Sequence, residues 1–311
     1  MDKGIDGGKI CLLIDFVWYK LFQESTYKYK LSLVLIIRDE AEYIKEWIEY
    51  HRLAGAEHFY IYDDESSDGL CDRIKDYTEK GIVTYIPWSN ADQRGAYKHA
   101  VQNFKWDSKY MGFIDADEFI VSIEQKMLPD VIEEIMDKYE KNPYRKRYLM
   151  HCGGIGINWR MYGTSNHKVH VNGLVIENYM YRADDDYYEN VHIKSIVNPR
   201  VVVDCSIHKM SYMKGFQCIS ENGSCIPDSF FFDSKYHKLC INHYYCKSEE
   251  DLLKKFIRGW TLERIAKKDI SMSQERMEAY TKKLEHIKKA WNKNYDPIMK
   301  DFIPLVKKAL E

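Results

Sequence analysis

The feature that most constrains the fold is an alternation of apolar runs and amphipathic segments over residues 31–120. Residues 31–37 (LSLVLII), 58–63 (HFYIYD) and 82–87 (IVTYIP) have the length and the β-branched or aromatic content of buried strands. Segments with helical spacing of apolar residues separate them, at 40–53 and about 70–80, and end near Gly55 and Gly81. This rhythm predicts an α/β fold on a parallel sheet with right-handed crossovers.

Acidic clusters follow three of the predicted strands. They are Arg38-Asp39-Glu40, residues 63–68 (DDESSD) and residues 115–118 (DADE). Ligands of such sheets bind beyond the carboxyl ends of the strands, so three acidic loops on one rim predict a single site. For residues 63–68, an ordinary Asp/Ser turn that caps a helix is an equally good reading of the letters.

The pattern Asp115-Ala116-Asp117 is typical of a metal site. Residues i and i+2 of an extended segment point the same way, so the two carboxylates can meet one divalent cation, Mn²⁺ or Mg²⁺. A solvated acidic loop is the alternative, and the apolar flanks favour placement in the sheet. A calcium loop starting at Asp64 fails because Lys75 stands where a glutamate is needed. Phosphate-binding loops of the G-x-x-x-x-G-K and G-x-G-x-x-G types do not occur.

Composition excludes other classes. The 311 residues are 45% hydrophobic, and 46 Lys plus Arg against 48 Asp plus Glu give a net charge of -2, without the basic excess of a nucleic-acid binder. Eight cysteines without a C-x-x-C pair predict reduced thiols in a cytoplasmic protein and no structural zinc. The apolar run at 10–22 is interrupted by charges and too short to span a bilayer, which leaves a packed amphipathic segment or loose contact with a membrane surface.

The pattern changes after residue 120. We expect a helix over 128–141, a glycine-rich strand over 152–159, β structure within 194–208, and a helical tail over 271–311. Ser248 and Asp251 form a capping box that opens another helix. These elements predict a second, mixed half.

Seven segments follow one another along the chain: LSLVLIIRDEAEYIKEWIEYHRLAGAEHFYIYDDESSDG, QRGAYKHAV, FIDADEFIV, INWRMYGTSNH, GLVIENYMYR, HIKSIV and INHYYCKSEEDLLKKFIRG. In this order they resemble the GT-A glycosyltransferases of family 92 and their bacterial family 2-like (DUF23-type) relatives. The resemblance runs from about residue 31 to 260. It implies a GT-A fold, a Rossmann-like mixed sheet flanked by helices with a C-terminal helical tail. It also implies sugar transfer from a nucleotide-sugar donor, which in characterised eukaryotic members is galactose from UDP-galactose, with inversion.

On this reading the chain divides into an arm (1–30), a nucleotide-sugar-binding half (31–125), an acceptor-binding half (126–250) and a C-terminal helical segment (251–311). The expected donor-binding residues are Arg38, Glu40, Asp63, Asp64, Arg94, Lys98, Asp115 and Ala116. The expected metal ligands are Asp115 and Asp117, with His208 or His243 as the third. The candidates for the general base are Glu177 and Asp185, with Asp184, Asp186 and Glu189 as rivals. The expected acceptor pocket contains Trp159, Gly163 and His167.

The function expected from the sequence is therefore metal-dependent, inverting transfer of a sugar from a UDP-sugar to a glycan or lipid-linked acceptor. We expect a cytoplasmic enzyme, soluble or peripheral at the inner membrane face, in bacterial surface polysaccharide or glycolipid assembly. Two alternatives stay open. One is a carbohydrate-binding or nucleotide-binding pseudoenzyme, and the other is a phosphatase that forms a phosphoaspartate at Asp115.

Overall fold

A computed structural model describes residues 26–89, 92–143, 150–231, 236–259 and 273–311. The apolar run at 10–22 and the first two residues of the predicted tail lie outside these ranges. The strands are β1 (Tyr29–Ile37), β2 (His58–Asp64), β3 (Val83–Trp88), β4 (Ser108–Phe113), β5 (Glu118–Ser122), β6 (His151–Met161), β7 (Tyr181–Arg182), β8 (Ile193–Val197), β9 (Val202–Asp204), β10 (Ser211–Tyr212), β11 (Phe216–Ile219), β12 (Leu239–His243) and β13 (Asn294–Tyr295). The helices are α1 (Ala41–Leu53), α2 (Leu70–Arg73), α3 (Lys75–Glu79), α4 (Gln93–Phe104), α5 (Leu128–Lys141), α6 (Val175–Asn178), α7 (Glu249–Arg258), α8 (Gln274–Ala290) and α9 (Ile303–Leu310).

One mixed sheet organises these elements. Its strand order is β3-β2-β1-β4-β8-β6-β12-β5, with β11 paired to β6. The first four strands are parallel, as the sequence predicts, and β8 turns the sheet antiparallel between β4 and β6. The predicted fold class, a Rossmann-like parallel half continued by mixed strands and flanked by helices, is confirmed. The predicted division at residue 125 stays a prediction, and the sheet runs across it through the β4–β8 pair.

The sheet is curled. Strands β4 and β5 are consecutive in the chain but stand four positions apart in the sheet. Four strand spacings in a flat sheet amount to roughly 19 Å. A tight turn joins the two strands, because the Glu118 amide donates to the Asp115 carbonyl at 3.1 Å. The far edge of the sheet must therefore bend round towards β4, which forms a cleft beside this turn.

Side chains of helix α1 form hydrogen bonds to the backbone of β5, the strand at the far edge of the curled sheet. Trp47 Nε1 donates to the Glu118 carbonyl at 2.8 Å, and the Tyr50 hydroxyl donates to the Ile120 carbonyl at 2.9 Å. The Ile120 amide donates to His51 Nε2 at 3.1 Å, while His51 Nδ1 donates to the Trp47 carbonyl at 2.8 Å. All three side chains are buried. The side chains of one helix thus satisfy an edge that would otherwise expose unpaired backbone groups.

Three predicted elements are divided in the structure. The helix expected at 70–80 is two short helices separated at Ile74, which is buried and has φ -106° and ψ 8°. The β structure expected within 194–208 is interrupted by a 3₁₀ turn at Pro199–Val201, where proline supplies no amide for a ladder. The described tail has two helices with β13 between them. The capping box at Ser248 and Asp251 is confirmed.

Candidate active site

A cleft of about 380 Å³ lies at the carboxyl ends of β1, β2 and β4. Its described lining residues are Ile36, Ile37, Arg38, Glu40, Asp64, Gln93, Asp115, Ala116, Asp117, Trp159, Ile207, His208, His243, Tyr245, Lys255, Arg258 and Gly259. Residues of all three predicted acidic loops line it, so the loops meet at one cleft, as the sequence predicts. Nine of the predicted site residues line this cleft.

The acidic turn differs from the extended segment that the sequence suggested. Residues 114–117 are not part of a strand, and the turn between β4 and β5 carries the two carboxylates to different partners. Asp115 meets Lys194, and Asp117 meets Lys255. We therefore describe two groups, an inner cluster (Asp115, Glu118, Lys194, Gln93 and Tyr97) and an open cluster (Asp117, His243, Lys255, Tyr245 and Trp159).

The inner cluster uses both oxygens of Asp115. Oδ1 accepts from Gln93 Nε2 at 2.7 Å and from the Tyr97 hydroxyl at 3.4 Å, and Oδ2 lies 2.7 Å from Lys194 Nζ. Lys194 also lies 3.6 Å from Glu118, and both of these side chains are fully buried. Burial raises the pKa of Glu118 well above its usual range, in spite of Lys194. Lys194 is therefore balanced chiefly by Asp115.

The open cluster surrounds Asp117. Its Oδ2 lies 2.5 Å from Lys255 Nζ, and its Oδ1 lies 3.6 Å from His243 Nε2. Burial by itself would raise the pKa of Asp117, but Lys255 and His243 outweigh it and hold this pKa well below its usual range. Asp117 is thus an anion at neutral pH. Lys255 also donates to the Tyr245 carbonyl at 2.6 Å.

Aromatic and imidazole rings form one wall of the cleft. The Trp159 ring stacks on the His192 ring, with 4.6 Å between the ring centroids. Its centroid also lies 4.4 Å from that of His243 and 5.5 Å from that of His208. Trp159 Nε1 and His243 Nδ1 are buried and have no hydrogen-bond partner among the described residues. Unpaired buried polar atoms are costly in a protein interior, so this wall has hydrogen-bonding capacity for a ligand.

His208 has a defined tautomer. Its Nδ1 lies 3.0 Å from the Ile193 carbonyl, which can only accept, so Nδ1 carries the proton and Nε2 has the lone pair. Burial, with Lys194 nearby, lowers the pKa of His208 to about 4. The imidazole is therefore neutral at physiological pH.

Ion pairs close one end of the cleft. Glu40 lies 3.1 Å from Lys247 Nζ and 3.0 Å from Arg258 Nη2. Burial by itself would raise the pKa of Glu40, but Lys247, Lys255 and Arg258 together lower it. This end joins β1 to helix α7, which are more than 200 residues apart in the chain.

The second acidic loop, residues 63–68, mainly forms hydrogen bonds that hold the surrounding structure together. Asp63 accepts from the Ser66 amide at 2.9 Å and from the Tyr85 hydroxyl at 2.6 Å, and does not line the cleft. Asp68 accepts from the Ala41 amide at 2.7 Å and so caps α1 from a neighbouring loop. Asp64 does line the cleft, beside Arg38 at 3.8 Å. Asp63 and Asp68 therefore fit the interpretation of this loop as an ordinary Asp/Ser turn that caps a helix. Asp64 fits the interpretation of the loop as part of a ligand site.

The structure does not bring six other predicted residues to the cleft. Arg94 and Lys98 point to Asp204 at 3.4 and 2.9 Å. Glu177 pairs with Lys307 at 2.7 Å, and Asp185 pairs with Arg182 at 2.8 Å. Gly163 packs against Asn292, and His167 lies 3.0 Å from the Asn178 carbonyl. Their predicted roles find no support in this arrangement.

Several polar residues of the site have no role in the sequence analysis, among them Gln93, Lys194, Lys255 and Arg258. Helical periodicity held a signal for Gln93, because the buried Ala96, Tyr97 and Ala100 define the inward face of α4. Arg94 and Lys98, four residues apart, share a different face. For Lys255 and Arg258 the signal was the capping box, which fixes the start of α7 and puts residues three apart on one side.

A divalent cation fits the open cluster better than the inner one. Within the described ranges, no three His, Cys, Asp or Glu side chains are already grouped as metal ligands. Asp117 and His243 are nevertheless adjacent, and carboxylate oxygen with imidazole nitrogen suits Mn²⁺. Asp115 has both oxygens engaged. The donor chemistry therefore points to Asp117 and His243 as the pair that would hold a cation.

A Rossmann-like half continued by mixed strands, with an acidic turn in the cleft at the strand ends, defines the GT-A class of α/β proteins. The model of glycosyltransferase family 92 matches residues 35–297. This chain belongs to glycosyltransferase family 92.

Relatives and solved structures extend the comparison. A family 92 protein of Oryza sativa subsp. japonica is 28% identical over 107 residues, which are 33% of this chain and 18% of that protein. One of Arabidopsis thaliana is 29% identical over 100 residues, 31% of this chain and 17% of that protein. The chain thus spans less than a fifth of these relatives.

Among solved structures, S. aureus TarS 1-349 with UDP-GlcNAc is similar at a TM-score of 0.42 and 10% identity, over 82% of this chain and 71% of that one. Glucosyl-3-phosphoglycerate synthase from Mycobacterium tuberculosis, with Mn²⁺, UDP and glucosyl-3-phosphoglycerate, gives a TM-score of 0.29 at 10% identity, over 56% and 58%. Likenesses at this level add nothing to the family match. Among the described residues, no helix is both long and apolar enough to cross a membrane.

Proposed function

We propose that this chain is a glycosyltransferase that moves a sugar from a UDP-sugar to a hydroxyl of a glycan or lipid-linked acceptor, with a divalent cation. Family membership supports the class of reaction. The observation that carries the proposal for this chain is the open cluster, where an anionic Asp117 lies beside His243 in the cleft at the strand ends. Galactose as the sugar and bacterial surface polysaccharide as the product stay predictions.

Different residues of the cleft suit the two ends of such a substrate. Asp64, Arg38 and Gln93 offer hydrogen-bond acceptors and donors of the kind that a uracil and a ribose require. The wall formed by the rings contains Trp159, which presents an aromatic surface and an unpaired Nε1. Aromatic rings pack against the apolar faces of sugars, so we place the transferred sugar and the acceptor on this wall.

A bound cation at Asp117 and His243 would supply positive charge against the diphosphate as it departs. The protein contributes the rest of the geometry. The acceptor oxygen attacks the anomeric carbon from the face opposite the diphosphate, which inverts the configuration. The bond from that carbon to the β-phosphate oxygen breaks, and its electron pair leaves with UDP.

The proton of the acceptor hydroxyl needs a base. Glu177 and Asp185 lie away from the cleft in ion pairs, so we propose His208 instead. It lines the cleft, and its hydrogen bond to the Ile193 carbonyl leaves Nε2 free of a proton. A pKa of about 4 makes it a weak base, which suits a proton that is transferred late, when the attacking oxygen has become acidic.

The test is a thermal-shift panel on the full chain with UDP-glucose, UDP-galactose, UDP-GlcNAc and, as a matched base control, GDP-mannose, each with and without Mn²⁺. A ligand that binds only the folded state raises the melting temperature by mass action. We expect at least one UDP-sugar to do so with Mn²⁺ and to release UDP on incubation. A panel in which no UDP-sugar shifts the melting temperature or releases UDP would contradict the proposal.

A binding protein without turnover is the second candidate. Both carboxylates of the acidic turn are already paired with lysines, and that observation favours it. The same panel separates the two functions, because a pseudoenzyme would bind the nucleotide sugar without releasing UDP. The phosphatase reading has no such support, since both oxygens of Asp115 accept hydrogen bonds and are not poised as a nucleophile.

A further inference from the structure

We propose that Lys255 and Arg258 of helix α7 bind the diphosphate of the donor. This inference rests on the proposed function and assigns the phosphate groups to two residues that no sequence motif had singled out. The sequence had offered Arg38, Arg94 and Lys98 as cations for the donor. Arg94 and Lys98 are held by Asp204 instead, and neither is among the described residues of the cleft.

The charge of the substrate sets the requirement. A nucleoside diphosphate carries at least two negative charges, and the cleft already contains the carboxylates of Glu40, Asp64, Asp115 and Asp117. Permanently charged cations must therefore meet the phosphates. The described residues that line the cleft include three such side chains: Arg38, Lys255 and Arg258.

Arg38 is committed elsewhere. Its Nη1 donates to the Asp64 carbonyl at 3.2 Å and lies 3.8 Å from the Asp64 carboxylate and 3.7 Å from Glu65. Its Nε lies 3.6 Å from Asp39. Three acids of the first two loops thus balance this one guanidinium, which fits a role in shaping the base-binding end.

Lys255 and Arg258 are placed differently. They stand three residues apart on α7, so both reach the same end of the cleft. Backbone carbonyls fix their positions: Lys255 donates to Tyr245, and Arg258 Nη1 donates to Arg38 and Asp39 at 2.7 and 3.0 Å. A lysine offers a compact charge and an arginine offers a planar fork, and both are suited to phosphate oxygens.

Their present partners are exchangeable. Lys255 pairs with Asp117, which is also the carboxylate proposed to hold the cation, and Arg258 pairs with Glu40, which Lys247 already balances. A metal ion at Asp117 would weaken the attraction between this carboxylate and the Lys255 ammonium. The ion pairs Asp117–Lys255 and Glu40–Arg258 then belong to the donor-free state. When the donor binds, its diphosphate replaces the two carboxylates as the partner of Lys255 and Arg258.

A purely structural role would look different. If Lys255 and Arg258 only fastened α7 to the loop after β1, their loss would lower the melting temperature and weaken every ligand alike. If they bind the diphosphate, the loss must grow with the number of phosphates and leave the nucleoside unaffected. Lys254 is the matched control, because it is on the same helix, 58% exposed, and paired with Glu250 and Asp251 outside this cleft.

The experiment is calorimetric titration of the full chain with uridine, UMP and UDP in the presence of Mn²⁺, for the wild type and for Lys255→Gln, Arg258→Gln and Lys254→Gln. Charge-assisted hydrogen bonds predict that each of the first two variants weakens UDP binding by about 10- to 100-fold. Uridine binding should stay within about twofold by the same account, because uridine carries no phosphate. Lys255→Arg and Arg258→Lys, which keep the charge, should recover part of the affinity, and they serve if a glutamine variant fails to fold.

Three results would overturn the assignment. If UDP binding in Lys255→Gln and Arg258→Gln equals that in Lys254→Gln, other groups hold the phosphates. If uridine binding falls as much as UDP binding, the two residues are only structural. If the wild type binds no uridine nucleotide at all, the proposed function fails first and takes this assignment with it.

Discussion

Asp115 and Asp117 are two residues apart and have opposite surroundings. Asp115 lies in the inner cluster, where Gln93 and the buried Lys194 occupy both of its oxygens. Asp117 lies in the open cluster, beside His243 and a lysine at the C-terminal end of a helix. In the sequence the two carboxylates look like an equivalent pair. The comparison teaches that Asp115 is held within the turn, whereas Asp117 faces the open cluster, where we propose that it meets a cation.

The largest expected effect comes from the open cluster. Asp117→Asn removes the charge proposed to hold the cation, and we expect sugar transfer to fall by about 10³-fold, the scale of losing a major electrostatic contribution to the transition state. His243→Gln should raise the Mn²⁺ concentration needed for half-maximal activity. UDP release measured against Mn²⁺ concentration checks both. An Asp117→Asn enzyme with wild-type activity would show that the two carboxylates do not differ in this way.

Substitution of His208 should have the next largest effect on activity. Because we propose His208 as the base for the acceptor hydroxyl, we expect His208→Gln to lower kcat by about 10²- to 10³-fold. The affinity for UDP and the Mn²⁺ requirement should stay unchanged. Because the imidazole acts in its neutral form and its pKa is about 4, the wild-type rate should fall only below that pH. A variant that instead loses Mn²⁺ affinity would identify His208 as a metal ligand, the role that the sequence analysis gave it.

Substitution in the inner cluster should lower the free energy of unfolding. Asp115→Asn leaves the buried Lys194 without its anionic partner, and we expect a loss of about 2 kcal/mol in the free energy of unfolding. Asp117→Asn should cost less, because Lys255 keeps the Tyr245 carbonyl as an acceptor. Chemical denaturation of both variants checks the order. Asp204→Asn, an exposed partner of Arg94 and Lys98, is the control and should stay within about 0.5 kcal/mol.

The effect that is smallest near neutral pH concerns the helix that positions β5. Burial lowers the pKa of His51 to about 3, against 6.5 for an exposed histidine. Between these values the unfolded chain binds a proton that the folded chain does not, so stability is lost as pH falls from 6.5 towards 3. The slope is at most about 1.4 kcal/mol per pH unit from this group. Denaturation of wild type and His51→Gln at several pH values measures the difference, and equal slopes would contradict it.

The parallel half could be predicted from sequence because its signals are local. Helices α1 and α5 follow from the spacing of their apolar residues, and strands β1 and β2 from their continuous apolar runs. The curl could not be predicted, since nothing local to residues 118–122 says that they pair with residues 239–243. That pairing is what brings His243 to Asp117.

The site shows the same limit. The acidic loops are readable because several charges after an apolar run are unusual, whereas Lys194 and Lys255 are single charges whose meaning depends on what folds against them. Arg94 and Lys98 are suitable partners of a donor by residue type alone. In the structure they lie on a face of α4 that contacts Asp204 and does not line the cleft. The catalytic role of Glu177 was expected from its position in the order of segments that resemble the family. Its contact with Lys307 cannot be predicted from the residues around Glu177, because Lys307 lies far away in the chain.

The most direct test of the central claim is a crystal structure of the chain with UDP and Mn²⁺, with the metal located by its anomalous scattering. The account predicts a manganese peak bonded to Asp117 and His243, with the diphosphate between that metal and Lys255 and Arg258. A peak coordinated by Asp115 in place of Asp117, or UDP bound outside the cleft, would contradict it.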